Sequence, residues 1–266
     1  MKDRDRLRKV ADETVNICQS GRFVLPNGQP VGLTPLIEKA VSQTVLYRPS
    51  DFPLTFLTPG GLPTVEVTDE TTGAAARRLA RDRDVCLLNF ASAKKPGGGF
   101  LNGARAQEED LARSSALYFC LREHREYYES NLASDSAFYT DHIIYSPRVP
   151  FFRDDQLRLM EEPFLASVLT APAPNASVVG ADRAELKQCA EQRAHKFLQV
   201  AAHHEERHLV LGAWGCGVFA NNPDDVADAL WAALDEMRGA FDSVVFAVYD
   251  HSADLANLRA FQARFA

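Results

Sequence analysis

Two adjacent glutamates, Glu108 and Glu109, follow closely on three consecutive glycines, Gly97-Gly98-Gly99. A carboxyl group can give a proton to a leaving oxygen and later take one from an attacking water. Glycines carry no Cβ and reach φ > 0, so their N–H groups can converge on a bound anion. Neighbours on a helix point about 100° apart. They therefore do not make the opposed pair of an ordinary glycosidase, which spans about 5–9.5 Å across the scissile bond. The chemistry predicted is one carboxylate acting twice while its neighbour holds sugar hydroxyls. A purely structural reading stands beside it: Gln107-Glu108-Glu109-Asp110 places negative charge at a helix start, which is stabilising anywhere. A helix start also lowers a carboxyl pKa, whereas a general acid needs a raised one. A bound diphosphate and the exclusion of water would raise it again.

A second glycine-rich stretch, Gly212-Ala-Trp-Gly215-Cys216-Gly217-Val218-Phe219, has the shape of a diphosphate cradle. It lacks the third glycine of a dinucleotide fingerprint, and tight turns after strands use the same residues.

The elements that must position these loops are legible as alternating runs. A helix is expected over 3–20, ended by Gly21, and residues 22–64 read as an irregular, proline-rich accessory region. Pro59-Gly60-Gly61-Leu62-Pro63 marks the boundary, giving an accessory region at 1–64 and a catalytic domain at 65–266. Strands are expected at 65–67, 85–90, 141–145, 163–169, 209–212 and 243–249, and helices at 70–83, 107–121, 182–204, from 223, and 253–265. Strands alternating with helices predict an α/β layer structure with a mixed or parallel sheet, and ligands sit off the strand C-termini, where both glycine loops emerge.

Length and composition bound the rest. The chain has 266 residues, 46% of them hydrophobic, enough for one large domain or a domain with an appendage. A net charge of −7 argues against direct nucleic-acid binding. The five cysteines are odd in number and scattered, as for reduced thiols in a cytoplasmic protein. No signal-peptide pattern or membrane-length apolar run is evident, so no membrane association is expected.

Gly97-Gly98-Gly99, seven residues, then Gln107-Glu108-Glu109 resembles the signature of the poly(ADP-ribose) glycohydrolases, enzymes with a macrodomain-like three-layer α/β/α fold. The stretches Asn89 to Gly99, Ala106 to Leu111, Tyr145 to Pro150 and Gly212 to Phe219 look like the short bacterial-type branch, and the similarity runs from about residue 65 to the C-terminus. The resemblance implies hydrolysis of ribose–ribose O-glycosidic bonds in poly(ADP-ribose), releasing ADP-ribose, without metal or cofactor. It also implies ADP-ribosylated proteins as partners and a place in the response to DNA damage. By position, Glu109 matches the catalytic acid/base and Glu108 the residue that binds ribose hydroxyls. Asn89, Ala91, Ser92, Gly97, Gly98, Gly99 and Gln107 fall at substrate-contacting positions. Ser92 stands where larger relatives have an asparagine. Gly215, Cys216, Gly217 and Val218 match the diphosphate loop, Phe219 the aromatic that orders the distal ribose, and Tyr249 an adenine-stacking aromatic.

Two other functions fit part of the pattern. A non-catalytic ADP-ribose reader would use the same glycine loops but has no need of Glu109. A nucleotide-dependent oxidoreductase would need a complete G-x-G-x-x-G followed by an acid about 20 residues on, which is absent. His204-Glu205-Glu206-Arg207-His208 spells a zinc-protease motif, yet a strand starts at once after it, so a solvated helix end is expected instead. Asp250-His251-Ser252 reads as a polar turn, because adjacent residues cannot chain the hydrogen bonds of a triad. Cys216 is expected to fill space in a tight loop.

Overall fold

In a computed structural model, described here for residues 3–53, 60–178 and 182–265, an N-terminal helix α1 (Asp3–Ser20) opens the chain. A hairpin β1 (Arg22–Val24) and β2 (Pro30–Gly32) follows, then α2 (Thr34–Gln43) and β3 (Val45–Tyr47). Next come β4 (Thr64–Thr68), α3 (Thr72–Leu79), β5 (Cys86–Phe90), α4 (Gln107–Ser114), α5 (Leu117–Leu121) and α6 (Arg125–Ala133). The chain ends with β6 (Ile143–Arg153), β7 (Leu159–Ala171), α7 (Arg183–His203), β8 (His208–Leu211), α8 (Pro223–Glu236), β9 (Ser243–Ala247) and α9 (Ala256–Phe265). Pro59 of the expected boundary lies outside the described residues.

The main sheet has seven strands in the order β3-β6-β7-β5-β8-β9-β4. From β7 to β4 every pairing is parallel, and β6 runs antiparallel to both of its neighbours. Side chains alternate across this sheet and feed two separate cores. On β5, Cys86 and Leu88 pack among Ala194, Phe197 and Leu230 on one face. Leu87 points the other way, among Ala76, Leu111 and Leu117. The result is the expected three-layer α/β/α arrangement with a mixed sheet.

Several expectations about individual elements are corrected. The stretch 22–64 is not merely irregular: α2 starts with Pro35 in its first turn, and β3 forms an edge of the main sheet against β6. The helix expected over 107–121 is two helices. Ser115 between them is extended (φ −146°, ψ 179°), its hydroxyl accepts the N–H of Leu117, and it bridges to Phe151 of β6. The antiparallel strands β6 and β7 each run well past the segments expected, and α6 had no counterpart in the sequence reading. The end of α7 is not a solvated terminus either. His204 stacks on Tyr145 with ring centroids 3.7 Å apart, and Tyr145 Oη donates to buried Glu206 over 2.6 Å. Among the described residues, no helix is long and apolar enough to cross a membrane.

Candidate active site

The site forms where β5 and β8 part. They share ladder pairs only at Cys86 and Leu87, leaving the last residues of β5 with no β8 partner on that edge. The side chain of Gln107, the first residue of α4, takes the missing strand's place. Its Oε1 accepts the N–H of Phe90 (2.8 Å), and its Nε2 donates to the carbonyl of Leu88 (2.7 Å) and to Thr72 Oγ1 (3.1 Å). A primary amide carries the same donor and acceptor as a peptide group, so it can stand in for one. This fixes the start of α4 against the sheet, with Glu108 and Glu109 in its first turn.

Glu108 is buried at 3% exposure, with Oε2 accepting the N–H of Ser92 (2.7 Å) and Oε1 accepting Nδ2 of Asn89 (3.2 Å). Burial pushes its carboxyl up to about 8, with the negative charge of Glu109 adding to the rise. The donors from Ser92, Asn89 and Gly97 oppose that shift because they stabilise the charged form. Glu109 is half-buried, and its Oε1 accepts the N–H of Gly99 over 2.8 Å.

The glycine run is needed for a steric reason. Gly97 and Gly98 sit at φ +67° and +58°, in the left-handed region. A Cβ on Gly98 would strike the Glu109 carboxylate and lie 3.1 Å from Glu108 Oε2, so both carboxyl groups converge over that residue. Just before the glycines, Ser92 Oγ accepts the N–H groups of Lys94 and Lys95 and shapes the entry to the loop.

The second loop is braced from behind. Trp214 is fully buried and donates Nε1–H to the carbonyl of Ala171 (3.0 Å). Asn221 Nδ2 donates to the carbonyls of Pro174 (2.7 Å) and Gly215 (3.0 Å), closing the loop across its base. Gly215 sits at φ +76°, and a Cβ there would collide with Ala173 and Asn221. This leaves the crest of the loop outward, with Val218 79% exposed and Phe219 facing Tyr139 at 5.8 Å between centroids. Burial pushes the Cys216 thiol up to about 12, which keeps it protonated and a poor nucleophile.

A cavity of about 670 Å³ opens at the C-terminal ends of β5, β8 and β9. Gln107, Gly215, Gly217, Val218, Phe219 and Tyr249 share its wall. Its size is that of an ordinary small-molecule site. The Tyr249 ring is 56% exposed and meets His251 edge-on at 4.1 Å. Glu108, Glu109 and the first-loop glycines are not on that wall. They form a polar nest beside it, joined through Gln107. Asn89 is fully buried behind the nest, tied to Glu108 and to Thr170 Oγ1, and Ala91 is buried next to it.

The sequence profile of the family described as "Microbial-type PARG, catalytic domain" matches residues 11–154. The chain is also similar to the crystal structure of poly(ADP-ribose) glycohydrolase from Thermomonospora curvata. The identity is 44% and the TM-score 0.92, covering 98% of this chain and 100% of that one. This chain belongs to the microbial-type poly(ADP-ribose) glycohydrolase family. The Thermomonospora curvata glycohydrolase bound to the inhibitor ADP-HPD is 47% identical with a TM-score of 0.92, covering 98% of this chain and 100% of that one. The Deinococcus radiodurans glycohydrolase in complex with ADP-ribose is 45% identical with a TM-score of 0.79, covering 86% of this chain and 96% of that one. No curated protein sequence matches the chain.

In this family member the cavity wall also holds residues that the sequence reading passed over. Arg6 and Leu7 reach it from α1, Thr71 and Thr72 from the start of α3, and Asp155 from the β6–β7 turn. Only tertiary packing brings α1 there, and no local motif marks it. The Thr71 position did carry a signal: its hydroxyl caps α3 by accepting the N–H of Ala74, as a Thr before a helix should. Asp250 likewise anchors α9, accepting from Ser252 N–H and Asn257 N–H (2.9 and 2.8 Å), and is no part of a triad.

Proposed function

We propose that this chain hydrolyses the ribose–ribose O-glycosidic bonds of poly(ADP-ribose), releasing ADP-ribose, with Glu109 as general acid and then general base. The observation that carries the reading is the convergence of the Glu108 and Glu109 carboxyls over Gly98, beside a nucleotide-sized cavity. Glu109 keeps Oε1 on the Gly99 N–H and turns Oε2 to the bridging oxygen. Protonation there breaks the C–O bond as positive charge develops on the ribose, and the same carboxylate then takes a proton from the attacking water. Glu108, oriented by Ser92 and Asn89, holds the ribose hydroxyls. The second glycine loop offers backbone N–H groups to the diphosphate, Phe219 orders the distal ribose and Tyr249 stacks on adenine. The Deinococcus relative's complex with ADP-ribose supports this ligand class.

We assign the chain to the cytoplasm, with ADP-ribosylated proteins as its macromolecular partners and a role in the response to DNA damage. It works without direct nucleic-acid or membrane binding and without a metal or cofactor. Residues 1–64 are read as an accessory region that is built into the catalytic domain at 65–266, its β3 closing one sheet edge and its α1 adding to the cavity wall. The test is incubation with labelled poly(ADP-ribose) and sizing of the products. Wild type releases ADP-ribose; Glu109→Ala does not, yet binds ADP-ribose with affinity within about threefold of wild type. Substantial turnover by the variant rejects the role of Glu109, and polymer binding without hydrolysis by wild type makes the chain a reader.

A further inference from the structure

The segment between the glycine run and α4 is fastened at both ends by side chains of α4 itself. Gly99 N–H donates to Glu109 Oε1 over 2.8 Å. The carbonyl of Gly99 accepts the N–H of Ala104 over 3.2 Å. The carbonyl of Ala104 in turn accepts Nη1 of Arg113 over 2.7 Å. Arg113 lies one helical turn beyond Glu109, so the chain of hydrogen bonds returns to the helix where it began.

Arg113 is a costly side chain to keep there. It is fully buried, and its Nε has no partner among the described residues. Its one carboxylate partner among the described residues is Asp110 (Nη2 to Oδ1, 2.6 Å), whose own side chain is 56% exposed. An isolated buried cation costs several kcal/mol, and an apolar side chain of similar volume often serves packing as well or better. The planar guanidinium does what an apolar group cannot, reaching two acceptors at a fixed angle. Its backbone is pinned too, because the Arg113 carbonyl accepts Thr14 Oγ1 of α1 over 2.7 Å.

We propose that Arg113 is a positioning residue for hydrolysis: it fixes Ala104, through it Gly99, and through Gly99 the carboxyl of Glu109. The inference rests on the role given to Glu109 above. Gly98 makes the coupling stiff. Its backbone packs against the Glu109 carboxyl so closely that a methyl group would collide, so displacement of the 99–104 segment passes to that carboxyl. The second glycine loop, read above as the diphosphate cradle, is braced separately by Trp214 and Asn221, so loosening this circuit should lower the rate more than the nucleotide affinity.

The experiment compares Arg113→Met and Arg113→Lys with wild type for polymer hydrolysis and for ADP-ribose affinity by calorimetry, with folding followed by circular dichroism. A displacement of about 1 Å costs up to about 100-fold in rate. The methionine variant is therefore expected to lose about 30-fold in kcat while its ADP-ribose Kd stays within about threefold. Lysine, which keeps the charge and a single donor nitrogen, restores kcat to within about fivefold of wild type. A folded methionine variant with kcat within about threefold of wild type overturns the proposal, as does an affinity loss equal to the rate loss. If methionine prevents folding, Asp110→Ala decides: it removes the Nη2 acceptor from a half-exposed position. A several-fold drop in kcat at unchanged affinity supports the role, and unchanged kcat overturns it. Wild type that leaves poly(ADP-ribose) intact refutes the functional reading instead, whatever the variants do.

Discussion

Replacing Glu108 with glutamine should change how stability depends on pH. Burial lifts the Glu108 carboxyl from 4.5 to about 8, so the folded chain binds this proton more tightly than the unfolded chain does. Wild-type stability from this group is therefore complete below pH 4.5 and is lost as pH rises toward 8. One pKa unit is worth about 1.4 kcal/mol. Between pH 5 and 7.5 the wild type should lose about 3 kcal/mol that Glu108→Gln does not lose. Glu206 is also raised by burial, but both proteins contain it and it cancels in the difference. The amide also faces N–H donors from Ser92 and Asn89 and so carries a constant penalty, which shifts the offset between the proteins and not the slope. Urea unfolding of both proteins at pH 5 and 7.5 reads the difference. A wild-type-minus-variant gap constant to within about 0.5 kcal/mol across that range would refute the buried-carboxyl account.

Gly98→Ala should lower kcat by at least about tenfold while the protein stays folded, because its methyl group displaces the Glu109 carboxyl; product-release assays at saturating polymer check this. Tyr249→Ala should weaken ADP-ribose binding by about 1–2 kcal/mol, roughly 5- to 30-fold in Kd by calorimetry, if its exposed ring stacks on adenine. Tyr145→Phe leaves the buried Glu206 carboxyl without its 2.6 Å donor and should cost about 1–3 kcal/mol in denaturant unfolding. An unchanged midpoint would refute the contribution assigned to this hydrogen bond.

Much of the scaffold was legible because it obeys local rules. The apolar runs of β5, β8 and β9 and the periodic helices α1, α7 and α8 fall within a residue or two of their expected bounds, β9 starting as expected and ending two residues early. The elements that were missed are set by distant partners. Ser115 breaks the helix after α4 because Phe151 pairs with it across the sheet edge, a contact no window around Ser115 contains. Strand β3 is three residues long and acquires its identity from β6. Residue types and spacing singled out Glu108, Glu109 and the two glycine loops as candidates, and the fold brings both carboxyls together over Gly98. The division of labour among neighbours did not show. Asn89, Ser92 and Gln107 all look like ligand-binding polar residues, and only coordinates reveal that each spends hydrogen bonds on the protein's own backbone or on Glu108.

Gln107 carries a consequence for how such a cleft is kept open. A parallel sheet gains a ladder bond wherever two neighbouring strands can zip together, so a gap between central strands tends to close unless something occupies it. Here one amide acts as a plug in the seam between β5 and β8, capping a donor and an acceptor that would otherwise draw the strands together. Glutamate at this position would keep the acceptor and lose the donor, and leucine would lose both. The separation of β5 from β8 at this end of the sheet thus rests in part on one side chain, which also reaches the cavity wall, so position 107 is where an engineered change at this seam should begin.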